Sequence, residues 1–477
     1  MATSRKIAYN TISQTIGRII VAAISVITLR MLTNYFGVDT YGDIVAATTF
    51  IALFSTFTDW GLGVVTGREI AKYPEKARKI MGANLAMRLT ISLGVAPLVA
   101  LAGIAVYGNS KPAVAAGVVI LSLTLVIGAI QAALVGIFVA RVRGDIVAYI
   151  DVVTKVISVV GIYAIVVSGL GYEQYYALLV LLNIIGTILT LLVAMKFVAI
   201  KPNFDFTEWR RLFVLALPLG LTQIINMVYF KIDGVMISLY LSSADVGYYG
   251  VAYKIIELAM VIPSFFMVSM LPAMSTATTE KLKDLTQKAL DAMITLAIPL
   301  FVGGSLMAPV IIVAVSSEEF LPAVVPFGIL LFGAATTYVN AVYGNALVAI
   351  SKQGGLVKLA IAATVLNISL NLFLIPNYGL NGAAFAVTIT ELFAMIVVAQ
   401  IYRRATGIVL SYRSLYKVLL ATTGMALVYL GLSYTGATSS SSLISVVLVG
   451  SVLGMSYFAI LYLVKGIPEP LLKLLRR

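Results

Sequence analysis

The 477-residue sequence contains no cysteine and no histidine, and only 11% of its residues are charged. Zinc, haem and iron–sulfur sites lose their usual ligands without a thiolate or an imidazole, so we expect no metal site and no cofactor. Soluble domains carry about 25% charged residues. This low charge and the 61% content of apolar residues together exclude a soluble domain, a disordered chain and a disulfide-rich secreted module.

Apolar residues are abundant instead, at 61% of the chain, with a mean hydropathy of +1.03. A membrane-spanning helix needs roughly 20 apolar residues, and runs of that length recur along the whole sequence. We predict an all-α polytopic membrane protein with about fourteen transmembrane helices. Their approximate ranges are 9–34, 43–67, 82–107, 113–139, 146–168, 174–198, 212–240, 246–271, 286–314, 323–350, 356–376, 380–402, 414–434 and 442–464.

Lysine and arginine total 33, against 20 aspartate and glutamate residues. If the N-terminus is cytoplasmic, 26 basic residues fall in alternate loops and at the two ends, whereas Lys111 stands alone in the opposite loops. Cytoplasmic loops of membrane proteins carry an excess of lysine and arginine. We therefore predict a multi-pass protein of the cell membrane (plasma or inner) with both termini cytoplasmic. The basic charge then indicates contact with membrane lipids and not with nucleic acid.

The two halves of the sequence resemble each other weakly. Tyr41-Gly42 aligns with Tyr249-Gly250, and Gly169-Leu170-Gly171 meets Gly379-Leu380-Asn381-Gly382 at a similar offset. Six helices per repeat is an even number, so the repeats are parallel, and paired repeats are a transporter architecture. We predict two six-helix lobes around a central cavity, plus two C-terminal helices. The predicted parts are the N-lobe 1–200 (helices 1–6), a cytoplasmic inter-lobe linker 201–211, the C-lobe 212–404 (helices 7–12), helices 13–14 at 405–466, and a cytoplasmic basic tail 467–477.

Charged side chains within the predicted helices are the candidates for function, because a charge in hydrocarbon costs roughly 2.5–3.5 kcal/mol. Helix 1 carries Gln14 and Arg18 on one polar stripe, with Arg30 further along. Arg18 has no acidic residue within four positions, so its partner is another helix, water or a ligand. The other candidate substrate-binding residues are Asp59, Asn226, Lys231 and Lys254.

Some of these charges have a structural interpretation. Lys254 and Glu257 are three positions apart, and Asp151 and Lys155 are four apart, so each pair neutralises itself if both side chains share a helix face. Twelve intramembrane charges balance as six basic and six acidic residues. Any preference for an anionic substrate therefore depends on pairing geometry.

Three acidic residues are candidates for coupling transport to an ion: Asp59, Asp233 and Glu391. For Asp59 the alternative is a structural pair with Arg18 across helices 1 and 2. For Glu391 the alternative is a buried, hydrogen-bonded carboxyl group. Arg88 lies near the predicted cytoplasmic end of its helix, from which its long side chain can reach the interface.

Several stretches resemble one family. Residues 370–384, LNLFLIPNYGLNGAA, are similar to the "LN..LIP.YG..GAA" signature of polysaccharide flippases, in the multidrug/oligosaccharidyl-lipid/polysaccharide exporter superfamily. Residues 247–272 are similar to that family's eighth helix, and residues 36–42 and 59–63 resemble its early helices. The resemblance covers essentially residues 1–404 and does not specify a substrate.

This resemblance implies two six-helix bundles that alternate between inward-open and outward-open states. It implies a glycan on a polyprenyl (pyro)phosphate as cargo. Cavity residues of the family come largely from helices 1, 2, 7 and 8, which implies such a role for Arg18, Arg30, Asp59, Lys231 and Lys254. Many members have twelve helices, and the predicted fourteen are similar to the lipid II flippase branch.

The sequence leaves three functions open. The first is a flippase that moves a lipid-linked oligosaccharide from the cytoplasmic to the outer leaflet, which needs no catalytic residues. The alternative is a cation-coupled multidrug exporter of the same superfamily, which needs an acidic cavity residue. The third is a membrane enzyme such as a glycan polymerase, which the short outer loops disfavour, so we expect no enzyme. A phosphate-binding glycine loop is absent, so an ion gradient (H+ or Na+), the membrane potential or consumption of product would supply energy.

Overall fold

The computed structural model describes residues 2–436, 438 and 440–468, with side chains from residue 13 onward. Within these residues the regular structure is helical and contains no β-strand. The α-helices are α1 (Ala2–Asp59), α2 (Leu62–Lys72), α3 (Ala77–Tyr107), α4 (Pro112–Ala140), α5 (Gly144–Val167), α6 (Tyr172–Ala194), α7 (Phe206–Tyr240), α8 (Ser243–Ala259), α9 (Val261–Ser275), α10 (Thr279–Leu306), α11 (Ala308–Val315), α12 (Val324–Ala349), α13 (Gly354–Thr406), α14 (Leu415–Tyr434) and α15 (Leu443–Leu463). The predicted tail 467–477 lies outside the described residues from 469 onward.

Twelve helical stretches within the described residues are long and apolar enough to cross a membrane. The prediction of an all-α polytopic membrane protein is therefore confirmed. Two stretches, 60 and 53 residues long, far exceed the roughly 20 residues that one crossing needs. Each contains a glycine with positive φ that breaks the helix, Gly37 in α1 (φ 70°) and Gly379 in α13 (φ 56°). The number of fourteen crossings and the repeat arrangement stay predictions.

The chain divides into two compact units, Met1–Ser238 and Leu239–Arg477. The core of the first unit includes Leu62, Met81 and Phe138, all fully buried. In this division α7, except for its last two residues, belongs to the first unit, whereas the sequence predicts it as part of the C-lobe. The lobe boundary at 201–211 stays a prediction.

The second unit includes the two last helices. Tyr457 of α15 is 1% exposed and donates a hydrogen bond to the Thr295 carbonyl of α10, 2.8 Å away. Met425 of α14 packs against Gly303 of α10, where an added Cβ would lie 3.2 Å from the methionine Cε. Helices α14 and α15 are thus packed onto the core of the second unit.

The polar stretch 201–211 is held against α3. The Asn203 backbone N–H donates to the Gly82 carbonyl at 2.9 Å. An added Cβ at Gly82 would lie 2.4 Å from the Lys201 carbonyl oxygen, so this approach requires glycine. Lys79 donates to Asp205 at 2.8 Å, and this hydrogen bond holds the pKa of the Asp205 carboxyl below its usual value. The start of α7 is therefore fixed to the first unit.

Candidate functional site

An ion pair joins α3 to the end of α1. The Arg88 guanidinium donates to the Asp59 carboxylate, and its Nε donates to Asn84 Oδ1 at 3.1 Å. The Arg88 side chain is 0% exposed, whereas that of Asp59 is 35% exposed. The predictions that Arg88 extends to the interface and that Asp59 pairs with Arg18 are therefore wrong. A buried guanidinium requires a charged partner, and Asp59 is the carboxylate that the packing of α3 brings to it.

Asp59 also lines a cavity of about 410 Å³ in the first unit. The residues that line this cavity, called here the amide cavity, are Ser55, Thr56, Asp59, Gln223, Asn226, Met227 and Phe230. Gln223 Oε1 is buried and has no hydrogen-bond partner among the described residues. The cavity thus combines a carboxylate, two amides and two hydroxyls, which together offer both donors and acceptors.

A helix break positions Asp59 at this cavity. Trp60 (φ 48°) and Gly61 (φ 71°) both adopt left-handed backbone conformations between α1 and α2. The break lies against α7 at Gly220, where an added Cβ would lie 2.7 Å from the Trp60 carbonyl oxygen. This approach brings the last turn of α1 next to the α7 segment that carries Gln223 and Asn226.

Gln14 and Arg18 line a second cavity, of about 390 Å³, between α1, α4 and α5. Asp151 of α5 lines it as well and interacts electrostatically with Arg18. The remaining wall is mainly apolar and includes Phe138 of α4. Close packing of α1 on α5 forms this cavity, since an added Cβ at Gly17 would lie 3.0 Å from the Ala148 Cβ. The cavity is called here the arginine cavity.

The remaining candidates of the first unit line neither cavity. Arg30 and Lys231 are half-buried, and Asp233 is 3% exposed. The structure thus brings Gln14 together with Arg18, and Asp59 together with Asn226.

Lys254 and Glu391 lie in the second unit, on α8 and α13. The predicted Lys254–Glu257 ion pair is present, with 2.9 Å between Nζ and Oε2. Glu391 is 8% exposed and accepts a hydrogen bond from Asn340 Nδ2 at 2.8 Å. Glu391 is therefore buried and hydrogen-bonded, as its structural alternative predicts. Its role in ion coupling stays a prediction.

Sequence reasoning missed the Arg88 contribution to the site. One local signal was available, because Asn84 lies four positions before Arg88 and shares its helix face. The Asp59 partnership had no local signal, since 29 positions separate the two residues.

A family model described as polysaccharide biosynthesis protein matches residues 7–278, more than half of the chain. This chain belongs to the polysaccharide biosynthesis protein family. The match includes both cavities. It ends before residues 370–384, the stretch that carries the sequence signature.

Among known relatives, the "probable low-salt glycan biosynthesis flippase Agl15" of Haloferax volcanii is 25% identical over 251 residues. The aligned region is 51% of this chain and 52% of the relative, so the chain spans about half the length of that protein.

Two solved structures show the fold over most of the chain. One is the lipid II flippase MurJ in an inward closed conformation, with a TM-score of 0.76, 16% identity and coverage of 94% of this chain and 99% of that one. The other is an inward-facing multidrug resistance MATE family transporter of the MOP superfamily, with a TM-score of 0.64, 15% identity and coverage of 81% and 98%. The family member described here therefore has a MurJ-like and MATE-like fold.

Proposed function

We propose that this protein is a flippase that moves a polyprenyl-(pyro)phosphate-linked oligosaccharide from the cytoplasmic to the outer leaflet by alternating access. Its membership of the polysaccharide biosynthesis protein family supports a glycan as cargo. The Haloferax volcanii relative, described as a probable glycan biosynthesis flippase, supports translocation as the activity.

The amide cavity is the observation that carries the proposal. A sugar presents several hydroxyl groups, each both donor and acceptor, and Asp59, Gln223 and Asn226 provide complementary groups. Asp59 is paired with Arg88, so the cavity offers its carboxylate as a hydrogen-bond acceptor with the negative charge already balanced. This favours a polar, neutral sugar over an organic cation.

We assign the arginine cavity to the phosphate end of the cargo. A guanidinium binds phosphate oxygens through paired hydrogen bonds, and apolar walls suit the first units of a polyprenyl chain. Arg18 and Gln14 are the polar residues proposed to contact the phosphate. Roles for Arg30, Lys231 and Lys254 in substrate binding remain proposals from the sequence.

A reconstituted assay tests the function. Proteoliposomes carrying a fluorescent polyprenyl-diphosphate oligosaccharide should show cargo crossing the bilayer, measured by protection from an external quencher. Asn226→Leu and Arg18→Ala should each slow crossing about tenfold, the equivalent of one lost hydrogen bond or more. Thr222→Val is the matched control on α7, because its hydroxyl donates to the Pro218 carbonyl of its own helix and lines no part of the amide cavity. Crossing no faster than in protein-free vesicles would contradict the proposal.

The same vesicles test the alternative and the energy source. Uptake of an organic cation such as ethidium, without movement of the glycan, would assign the protein to multidrug export. We propose an H+ or Na+ gradient as the driving force, with Asp59, Asp233 and Glu391 as candidate coupling residues. An ionophore that collapses one gradient should stop crossing if that ion is coupled.

We further propose that the protein resides in the cell membrane with cytoplasmic termini, on the basis of the distribution of lysine and arginine. Single cysteines introduced into this cysteine-free chain test the orientation, since an impermeant thiol reagent added outside cells should label position 111 and leave position 404 unlabelled.

A further inference from the structure

A third cavity lies where α2 ends and α7 begins, separate from the amide and arginine cavities. It has a volume of about 520 Å³. Its polar lining includes three basic residues, Lys72, Arg210 and Arg211, and one carboxylate, that of Glu69. This cavity is called here the basic cleft. All four residues lie on the side of the membrane to which the sequence assigns most basic residues.

An ion-pair network joins the two walls of the basic cleft. Arg211 Nη1 donates to Glu69 Oε2 at 2.6 Å, which joins α7 to α2. Arg211 Nη2 donates to Glu208 Oε1 at 2.6 Å on its own helix. The Glu69 side chain is 7% exposed. Arg211 therefore neutralises the buried carboxylate and holds the walls in place, and its own charge is already compensated.

Lys72 and Arg210 are the charges that this network leaves available. Both are exposed, and neither forms an ion pair among the residues that the structure describes. The Lys72 ammonium lies over the Tyr73 ring, 5.0 Å from its centroid. Two cations that line one cleft are suited to an oxyanion, and Arg210 can bind it through two parallel hydrogen bonds.

An apolar surface adjoins these cations. Val214 and Leu215, one turn further along α7, line the cleft and are 60% and 37% exposed. Free phosphate gains nothing from contact with an apolar surface, whereas a membrane lipid has acyl chains that pack on such a surface next to the bound head group. We propose that the basic cleft binds the phosphate head group of an anionic membrane lipid, with the acyl chains along Val214 and Leu215.

Native mass spectrometry of the purified full-length protein, titrated with dioleoyl phosphatidylglycerol, tests this site. One basic residue near a membrane surface changes binding of an anionic lipid by about fivefold. Lys72→Gln/Arg210→Gln should therefore weaken the highest-affinity binding by about 25-fold. The control, Lys352→Gln/Lys358→Gln, removes the same charge from exposed lysines of the second unit and should change binding less than twofold. Equal weakening in both variants, or in neither, would overturn the site.

Two further measurements identify the source of the phosphate and test the site without a variant that could misfold. Millimolar inorganic phosphate should leave phosphatidylglycerol occupancy unchanged, and displacement would show a free-anion site instead of a lipid site. Hydrogen exchange of residues 203–211 in the unmodified protein should slow in nanodiscs of phosphatidylglycerol relative to phosphatidylcholine. Equal exchange in the two lipids would contradict the proposal without relying on a variant. None of these measurements depends on transport.

Discussion

Each unit of the molecule contains an ion pair among its apolar helices, and the two pairs are built differently. In the first unit, Asp59 and Arg88 come from different helices, and the Arg88 side chain is 0% exposed. In the second unit, Lys254 and Glu257 are one turn apart on α8, with side chains 43% and 36% exposed. One pair joins two helices and the other occupies a single helix face.

This difference determines what each pair contributes. A buried charge that loses its partner remains in a medium that solvates it poorly, so breaking the pair is expensive. Breaking a half-exposed pair on one helix costs little stability, because neither charge is enclosed by the protein and the long side chains gain conformational freedom. The pair between helices therefore stabilises the packing of the first unit, whereas the α8 pair chiefly balances local charge.

Asp59→Asn should have the largest effect on stability. The substitution leaves the Arg88 guanidinium buried without a counter-charge, which costs about 3–5 kcal/mol. Chemical unfolding of the purified protein in detergent, followed by tryptophan fluorescence, measures the loss. A cost below about 1 kcal/mol, the usual value for exposed pairs, would remove the contrast between the two units.

The double variant Asp59→Leu/Arg88→Met separates stability from function. Replacing a buried pair by apolar side chains of similar volume is often neutral, so most of the stability lost in Asp59→Asn should return. Glycan crossing should not return, because the amide cavity has lost its carboxylate. Recovery of both would assign Asp59 a purely structural role.

The fold was largely predictable, because its determinants are local. Runs of apolar residues predicted the membrane helices, and the aromatic–glycine pairs Phe36-Gly37 and Tyr378-Gly379 fell where the structure breaks α1 and α13. Glycine tolerates the positive φ that each break requires, whereas other residues pay a steric penalty there. The sequence could not show that α7 packs with the first unit, since that depends on contacts between distant helices.

The candidate site was predictable only in part. Gln14 with Arg18 and Lys254 with Glu257 follow from helical spacing, and both groupings are present. The partner of Asp59 does not follow from spacing, because any helix of the bundle can present a cation to it. The chain contains several basic residues within its helices, and only the packing of α3 against α1 selects Arg88.

Gly220→Ala should have the next largest effect, about 2 kcal/mol, typical of overpacking. Its Cβ would lie 2.7 Å from the Trp60 carbonyl oxygen and push α7 from the helix break that positions Asp59. Gly344→Ala is the control, because its Cβ would meet nothing within 4 Å, and alanine favours a helix over glycine. The same unfolding assay should show destabilisation for the first variant alone. Equal stability of the two variants would mean that the break tolerates displacement.

Asn340→Ala tests whether a high cost of breaking an interaction is specific to the first unit or is shared by interactions that join two helices in the second unit. Asn340 of α12 donates to Glu391 of α13, so this hydrogen bond joins two helices within the second unit. Removing one partner of a buried hydrogen bond costs about 1–3 kcal/mol. We expect a loss of about 1.5 kcal/mol. Asn345→Ala, whose amide bonds the Ala341 carbonyl of its own helix at 2.8 Å, is the control and should lose less.

Glu257→Gln should have the smallest effect, less than about 1 kcal/mol. Lys254 keeps a polar neighbour, and at 43% exposure its side chain does not need a counter-charge. Adding 0.5 M salt should lower the stability of the wild type slightly more than that of the variant, because salt screens an exposed ion pair and the variant has none. If this local pair proved as costly to break as the Asp59–Arg88 pair, the location of both partners on one helix would not make an ion pair cheaper to break. The cost of any unpaired charge within the lipid bilayer would then explain the loss of stability for both pairs.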